Sequence, residues 1–120
     1  MNSLKVGIAS REAYKKRTLA ISKGEYVQAK GEPKVWFESL GTLSQVLSDQ
    51  NRDLLKLILE TRPRSLHELA ERSGRATSNI SRILRTMQQY GLVDLEQGPN
   101  RQLVPHANYI GVELELSFQG

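Results

Sequence analysis

Residues 65–97 read SLHELAERSGRATSNISRILRTMQQYGLVDLEQ, and the spacing of apolar residues in this stretch decides the fold. Ser65 opens an S-x-x-E capping box with Glu68, which predicts a helix starting at Leu66. Leu66, Leu69 and Ala70 give that short helix an inward side, and Ser73-Gly74 stops it. Ile80, Ile83, Leu84 and Met87 then recur at i, i+3, i+4 and i+7, one buried stripe on a longer helix over residues 76–90. Gly91 falls where a helix needs a residue able to turn left-handed. Beyond it, residues 92–96 read as a strand, Gln97-Gly98-Pro99-Asn100 as a hairpin tip and residues 101–104 as the returning strand, which Pro105 ends.

Upstream, Ser48 or Asp49 caps a helix over residues 51–61. Leu54, Leu55, Leu57, Ile58 and Leu59 bury most of it, and Pro63 stops it. Gly31-Glu32-Pro33 marks a break. After it, Trp36, Leu40, Leu43 and Leu47 share one helical face, which predicts a helix over residues 33–47 despite Gly41. Residues 4–9 alternate Leu4, Val6 and Ile8 as a short strand, and Ser10 caps a polar helix from Arg11 to about Lys23, ended by Gly24. At the far end Val112, Leu114, Leu116 and Phe118 alternate with Glu113, Glu115 and Ser117. That is a half-buried edge strand, or a strand that pairs with a second subunit.

The chain has 120 residues, 38% of them hydrophobic and 25% charged, enough for one compact domain with an extension. So small a core gains from a partner subunit. There is no cysteine, which removes disulfides, thiolate nucleophiles and thiolate metal sites. His67 and His106 are the only imidazoles, and His67 reads as solvated or phosphate-facing rather than as a metal ligand. Gly24, Gly31 and Gly41 form no phosphate-cradling loop, and no nucleophile elbow is present. The expectation is a protein that is not an enzyme and needs no cofactor or metal. No run approaches the roughly 20 apolar residues of a membrane helix, and residues 1–17 lack a signal peptide's apolar centre, so a cytoplasmic location is expected.

The net charge of +4 is unevenly spread. Residues 1–34 hold eight Lys or Arg against three Glu, and residues 61–90 hold six Arg against two Glu. Between Arg72 and Tyr90 there is no carboxylate at all. A helix laid against phosphates has reason to avoid carboxylates, and an ordinary solvated helix does not.

Helix, short helix, glycine-containing turn, longer helix and hairpin, in that order, predict a winged helix-turn-helix: mainly α, with a small β wing. The domains expected are a basic N-terminal extension over residues 1–47, the winged domain over residues 48–106 and a strand-like tail over residues 107–120. On the longer helix Thr77, Ser78, Asn79, Ser81, Arg82 and Arg85 face outward or flank the stripe. Arg82 suits guanine and Asn79 suits adenine, each by a two-point contact. Arg75 and Ser78 stand where a helix start holds a phosphate, and Arg85 reaches the backbone. Arg101 serves the minor groove or a phosphate. Lys15, Lys16, Arg17 and Arg64 are further candidate DNA contacts, although a solvated helix explains the first three equally well. Trp36, Phe37, Leu40, Val112, Leu114 and Leu116 are the candidates for a dimer interface, with the two aromatics read as core or interface.

The stretch from Leu66 to Val93 also resembles MarR- and ArsR-like winged-helix regulators. Their L-x-E-L-A helix is matched by Leu66, Glu68, Leu69 and Ala70, and their second helix by Ser81, Arg82, Leu84, Met87, Gly91, Leu92 and Val93. Residues 4–21 and 31–40 resemble the leading part of a MarR-like group of bacterial and archaeal DNA-binding proteins, whose members are regarded as regulators or as antitoxins beside a small toxin gene. The resemblance implies a homodimeric repressor on a palindromic double-stranded DNA site, and as an alternative an antitoxin that blocks a toxin protein. Long dimerisation helices, an effector pocket and the metal ligands of ArsR sensors have no counterpart here.

Overall fold

The computed structural model describes residues 1–24 and 32–118. Its elements run β1 (Ser3–Ile8), α1 (Arg11–Ser22), β2 (Val35–Phe37), α2 (Leu40–Val46), α3 (Asp49–Thr61), α4 (Leu66–Ser73), α5 (Thr77–Gln89), β3 (Val93–Gln97), β4 (Leu103–Ala107) and β5 (Gly111–Glu115). The chain is therefore mixed α/β rather than mainly α. It divides into two compact units that interleave in sequence: Val46–Ile110 with Met1–Asn2, and Ser3–Gln45 with Gly111–Gly120. Most of the expected N-terminal extension and most of the expected tail fall together in the second of these units.

The Val46–Ile110 unit is built from three helices and a hairpin. Ser48 accepts from the Asn51 amide at 3.3 Å and starts α3. The left-handed Arg62 ends it, just before Pro63. Ser65 caps α4 by accepting from the Glu68 amide at 3.0 Å. The return half of the box shifts by one residue, since the Glu68 carboxylate accepts from the Arg64 amide at 3.3 Å. Gly74, at φ 71, closes α4 in a conformation costly for any residue with a Cβ, and so permits the three-residue corner into α5. On α5 the stripe of Ile80, Leu84 and Met87 is wholly buried. Burial of each such side chain contributes about 1.5–3 kcal/mol. The helix ends in a paired cap, with the Leu92 amide donating to the Met87 carbonyl and the Gly91 amide to the Gln88 carbonyl, each at 3.0 Å.

β3 and β4 pair antiparallel from Val93 opposite Ala107 to Gln97 opposite Leu103. Pro105 lies inside β4, opposite Leu95, and does not end the strand as expected. In a two-stranded ribbon each strand has a free edge, so the amide that proline lacks is not missed. The hairpin tip is a 3-10 turn over Pro99–Arg101.

The second unit is a three-stranded parallel sheet in the order β2-β1-β5. The helix expected over residues 33–47 is corrected to a strand followed by a short helix, because Val35, Trp36 and Phe37 are β-branched or aromatic and extend alongside β1. Gly31 of the expected break lies outside the described residues. Gly7 stands beside Trp36 in the register, and a Cβ there would come within 2.5 Å of the indole ring. Only glycine lets the ring lie across β1. Arg17 of α1 covers the same ring at 5.1 Å and is ion-paired with Glu32. Leu4, Val6 and Phe37 fill the opposite face and are buried.

Candidate nucleic-acid interface

The amino end of α5 is open. Ala76 stands at the cap position without a side-chain hydrogen bond, and no acidic residue occupies the first turn. The first amides of the helix are thus left for solvent or a ligand. Behind them Ser78, Arg82, Arg85 and Gln89 recur at helical spacing and are all exposed, opposite the buried stripe. Thr77 is exposed too, and Ser81 is half-buried. Arg85 Nε donates to the Ser81 hydroxyl at 3.3 Å, so those two residues are presented together. The Arg82 side chain makes no hydrogen bond or ion pair among the described residues, while its carbonyl accepts from the Thr86 hydroxyl at 3.2 Å.

Arg75 has a different setting from the one its sequence position suggested. Its Nε and one terminal nitrogen donate to Asn79 Oδ1 at 3.1 and 2.8 Å. The same terminal nitrogen reaches Asn51 Oδ1 at 3.4 Å, and the other reaches the Gln50 carbonyl at 3.5 Å. Arg75 therefore ties the start of α5 to the start of α3. Asn51, buried and donating to the Val46 carbonyl at 3.1 Å, was not a candidate from sequence. Its signal was an amide three residues before Leu54 and seven before Ile58, on the buried side of an otherwise aliphatic helix. A polar residue at core spacing implies a buried partner.

The unit's cations fall into two groups. Arg52, Lys56 and Arg72 are paired with Asp49, Glu60 and Glu68 within their own helices. Arg62, Arg64, Arg75, Arg82, Arg85 and Arg101 have no carboxylate partner among the described residues. The Arg72 side chain, with help from the Arg64 amide, holds the Glu68 carboxyl below its ordinary pKa. At the hairpin tip Asn100 and Arg101 are both left-handed, at φ 59 and 61, and exposed. The Gly98 amide closes the tip onto the Gln102 carbonyl at 2.7 Å. His106 pairs with Glu96 at 3.1 Å and His67 with Glu71 at 3.0 Å.

In the other unit Lys15 and Lys16 are exposed, Lys16 lying 3.9 Å from Glu12. Arg17 is turned inward onto Glu32 and Trp36, which removes it from the candidate DNA contacts. Of the candidate dimer residues, Phe37 is wholly buried within the chain and offers no surface. Trp36 and Val112 are half-buried, while Leu40, Leu114 and Leu116 are exposed. β5 pairs with β1 of the same chain, and among the described residues no strand pairs with its other edge. Among the described residues no three His, Asp or Glu side chains converge as a metal site, and no helix is long and apolar enough to cross a membrane.

These features define a chain with a carboxylate-free, arginine-bearing helix on a small mixed α/β scaffold. The family model HVO_A0114 matches residues 46–114, more than half of the chain, and the protein belongs to that family. No curated protein and no solved structure matches it.

Proposed function

We propose that the Val46–Ile110 unit is a winged helix-turn-helix of the MarR/ArsR kind and that it binds double-stranded DNA. In this reading α4 and α5 are the helix-turn-helix, α5 enters the major groove, and β3 and β4 are the wing. The observation that carries the reading is the set of arginines on α5 and the hairpin tip, Arg82, Arg85 and Arg101, that the protein leaves without carboxylate partners among the described residues. Within it Arg82 is the base-reading residue, Arg85 and Arg64 meet phosphates, Arg101 follows the wing into the minor groove, and Thr77, Ser78 and Ser81 hydrogen-bond at the helix start. The protein would act in the cytoplasm as a homodimeric transcriptional repressor on a palindromic site, with half-sites about one helical turn apart. Its exposed Leu114, Leu116 and Phe118 favour a protein–protein contact. Such a contact serves self-association, or the second reading in which the chain is an antitoxin that blocks a toxin protein.

Titration of labelled duplex DNA at two salt concentrations tests the central claim. Affinity should fall steeply between 50 and 200 mM salt, about a thousandfold for some six phosphate contacts. No binding at the lower salt would remove the DNA reading.

A further inference from the structure

Resting on that DNA reading, we propose that Asn79 reads a base as a hydrogen-bond donor alone, and that Arg75 sets this by occupying its carbonyl oxygen. The guanidinium of Arg75 carries donors only, so the atom of Asn79 that faces it must be the oxygen. Two of those donors converge on this oxygen, at 3.1 and 2.8 Å. Arg75 is itself held from the other side by the Gln50 carbonyl and Asn51 Oδ1, so it is not free to follow a different Asn79 rotamer. The Asn79 amide nitrogen has no hydrogen-bond partner among the described residues, and no partnerless side-chain nitrogen or oxygen is buried. That nitrogen is therefore accessible to solvent, one turn before Ile83 and beside the exposed Ser78.

A free asparagine recognises adenine through two points, accepting from N6 and donating to N7. Here the acceptor is spent within the protein. The two remaining N–H groups match a base edge made of acceptors. Guanine offers two, N7 and O6, side by side, whereas cytosine offers a donor and adenine an acceptor next to a donor. The base pair under Asn79 should thus carry guanine, and Arg75 is a positioning residue that determines specificity without touching DNA.

Selection from a randomised duplex pool, repeated with variants, tests this. Asn79→Ala identifies the position, as the one base pair whose preference collapses. Wild type should hold guanine there over adenine by about fivefold or more. Arg75→Met frees the carbonyl, and adenine should then be admitted at that position alone. Asn79→Asp keeps an acceptor toward Arg75 but removes both donors, so guanine preference should be lost even if Arg75→Met does not fold. Adenine in the wild-type site, no position responding to Asn79→Ala, a folded Arg75→Met with unchanged preference, or guanine retained by Asn79→Asp would each overturn the inference while leaving DNA binding intact. A wild-type protein that enriches no sequence overturns the DNA reading, and this inference falls with it.

Discussion

The two units carry equal net charge and pair it to different extents. Val46–Ile110 with Met1–Asn2 holds nine Lys and Arg against seven Asp and Glu, and the other unit holds eight against six. In the sheet unit Lys5, Arg11, Lys16 and Arg17 are each matched to a carboxylate, of Glu115, Glu38, Glu12 and Glu32. In the helical unit five of the seven carboxylates are matched to Arg52, Lys56, Arg72 and the two histidines, and six arginines have no carboxylate partner among the described residues. Net charge does not distinguish the units; pairing does. A cation already bound to a carboxylate must give up that partner before it can neutralise a phosphate. One that is solvated gives up only water.

The largest test of this contrast is to remove arginines from α5. The double variant Arg82→Ala, Arg85→Ala should lose about 2–5 kcal/mol of DNA binding, with a salt slope smaller by about one for each phosphate contact removed. Replacing Arg11 and Lys16, already paired with Glu38 and Glu12, with Ala in the sheet unit should change affinity by less than about threefold. Equal losses from both pairs, measured by fluorescence anisotropy, would break the contrast.

The next test concerns what Arg17 does instead. Gly7→Ala forces a Cβ into the Trp36 ring, whose nearest atoms stand at 2.5 and 2.7 Å from that point. Overpacking of this kind costs about 1–3 kcal/mol. Trp36 is the single tryptophan, so its fluorescence reports on the sheet unit, and its unfolding midpoint should fall. A midpoint equal to that of wild type would show that the ring and its Arg17 cover can move aside at little cost.

The units also differ in how much of them could be read in advance. Ser48, Ser65, Gly74 and Gly91 bracket helices by local hydrogen bonds, so α3, α4 and α5 follow from short windows of sequence. The parallel sheet has no such local signal. β1, β2 and β5 are joined only through partners far along the chain, and Trp36 fits a helical stripe as well as a strand until β1 lies beside it. The exposed side of α5 was legible for a similar reason, as it is the complement of a regular buried stripe. The setting of Arg75 was not. Its partners Gln50 and Asn51 lie twenty-five and twenty-four residues away, and side-chain bonds across that distance leave no periodicity.

The smallest effect expected lies in Glu68, the carboxylate that pairs with Arg72 along α4. Arg72 donates to it at 3.0 Å along α4, and the Arg64 amide adds to the attraction, so its pKa in the folded chain lies below the unfolded value. The ionised form then binds more favourably in the native state than in the unfolded one. Its contribution is present above the ordinary glutamate range and is lost as pH falls through the lowered folded value. Glu68→Gln removes that pH dependence and leaves Arg72 without its carboxylate. Thermal midpoints of wild type and variant should therefore differ most near neutral pH and converge in acid, the difference staying small because the pair is solvated. The same substitution adds a seventh unpaired arginine beside α5. If unpaired arginine is what sets DNA affinity, Glu68→Gln should tighten binding slightly while it weakens the fold; a loss of affinity at neutral pH, with the fold intact, would show that the α4 cap positions α5 more than charge does.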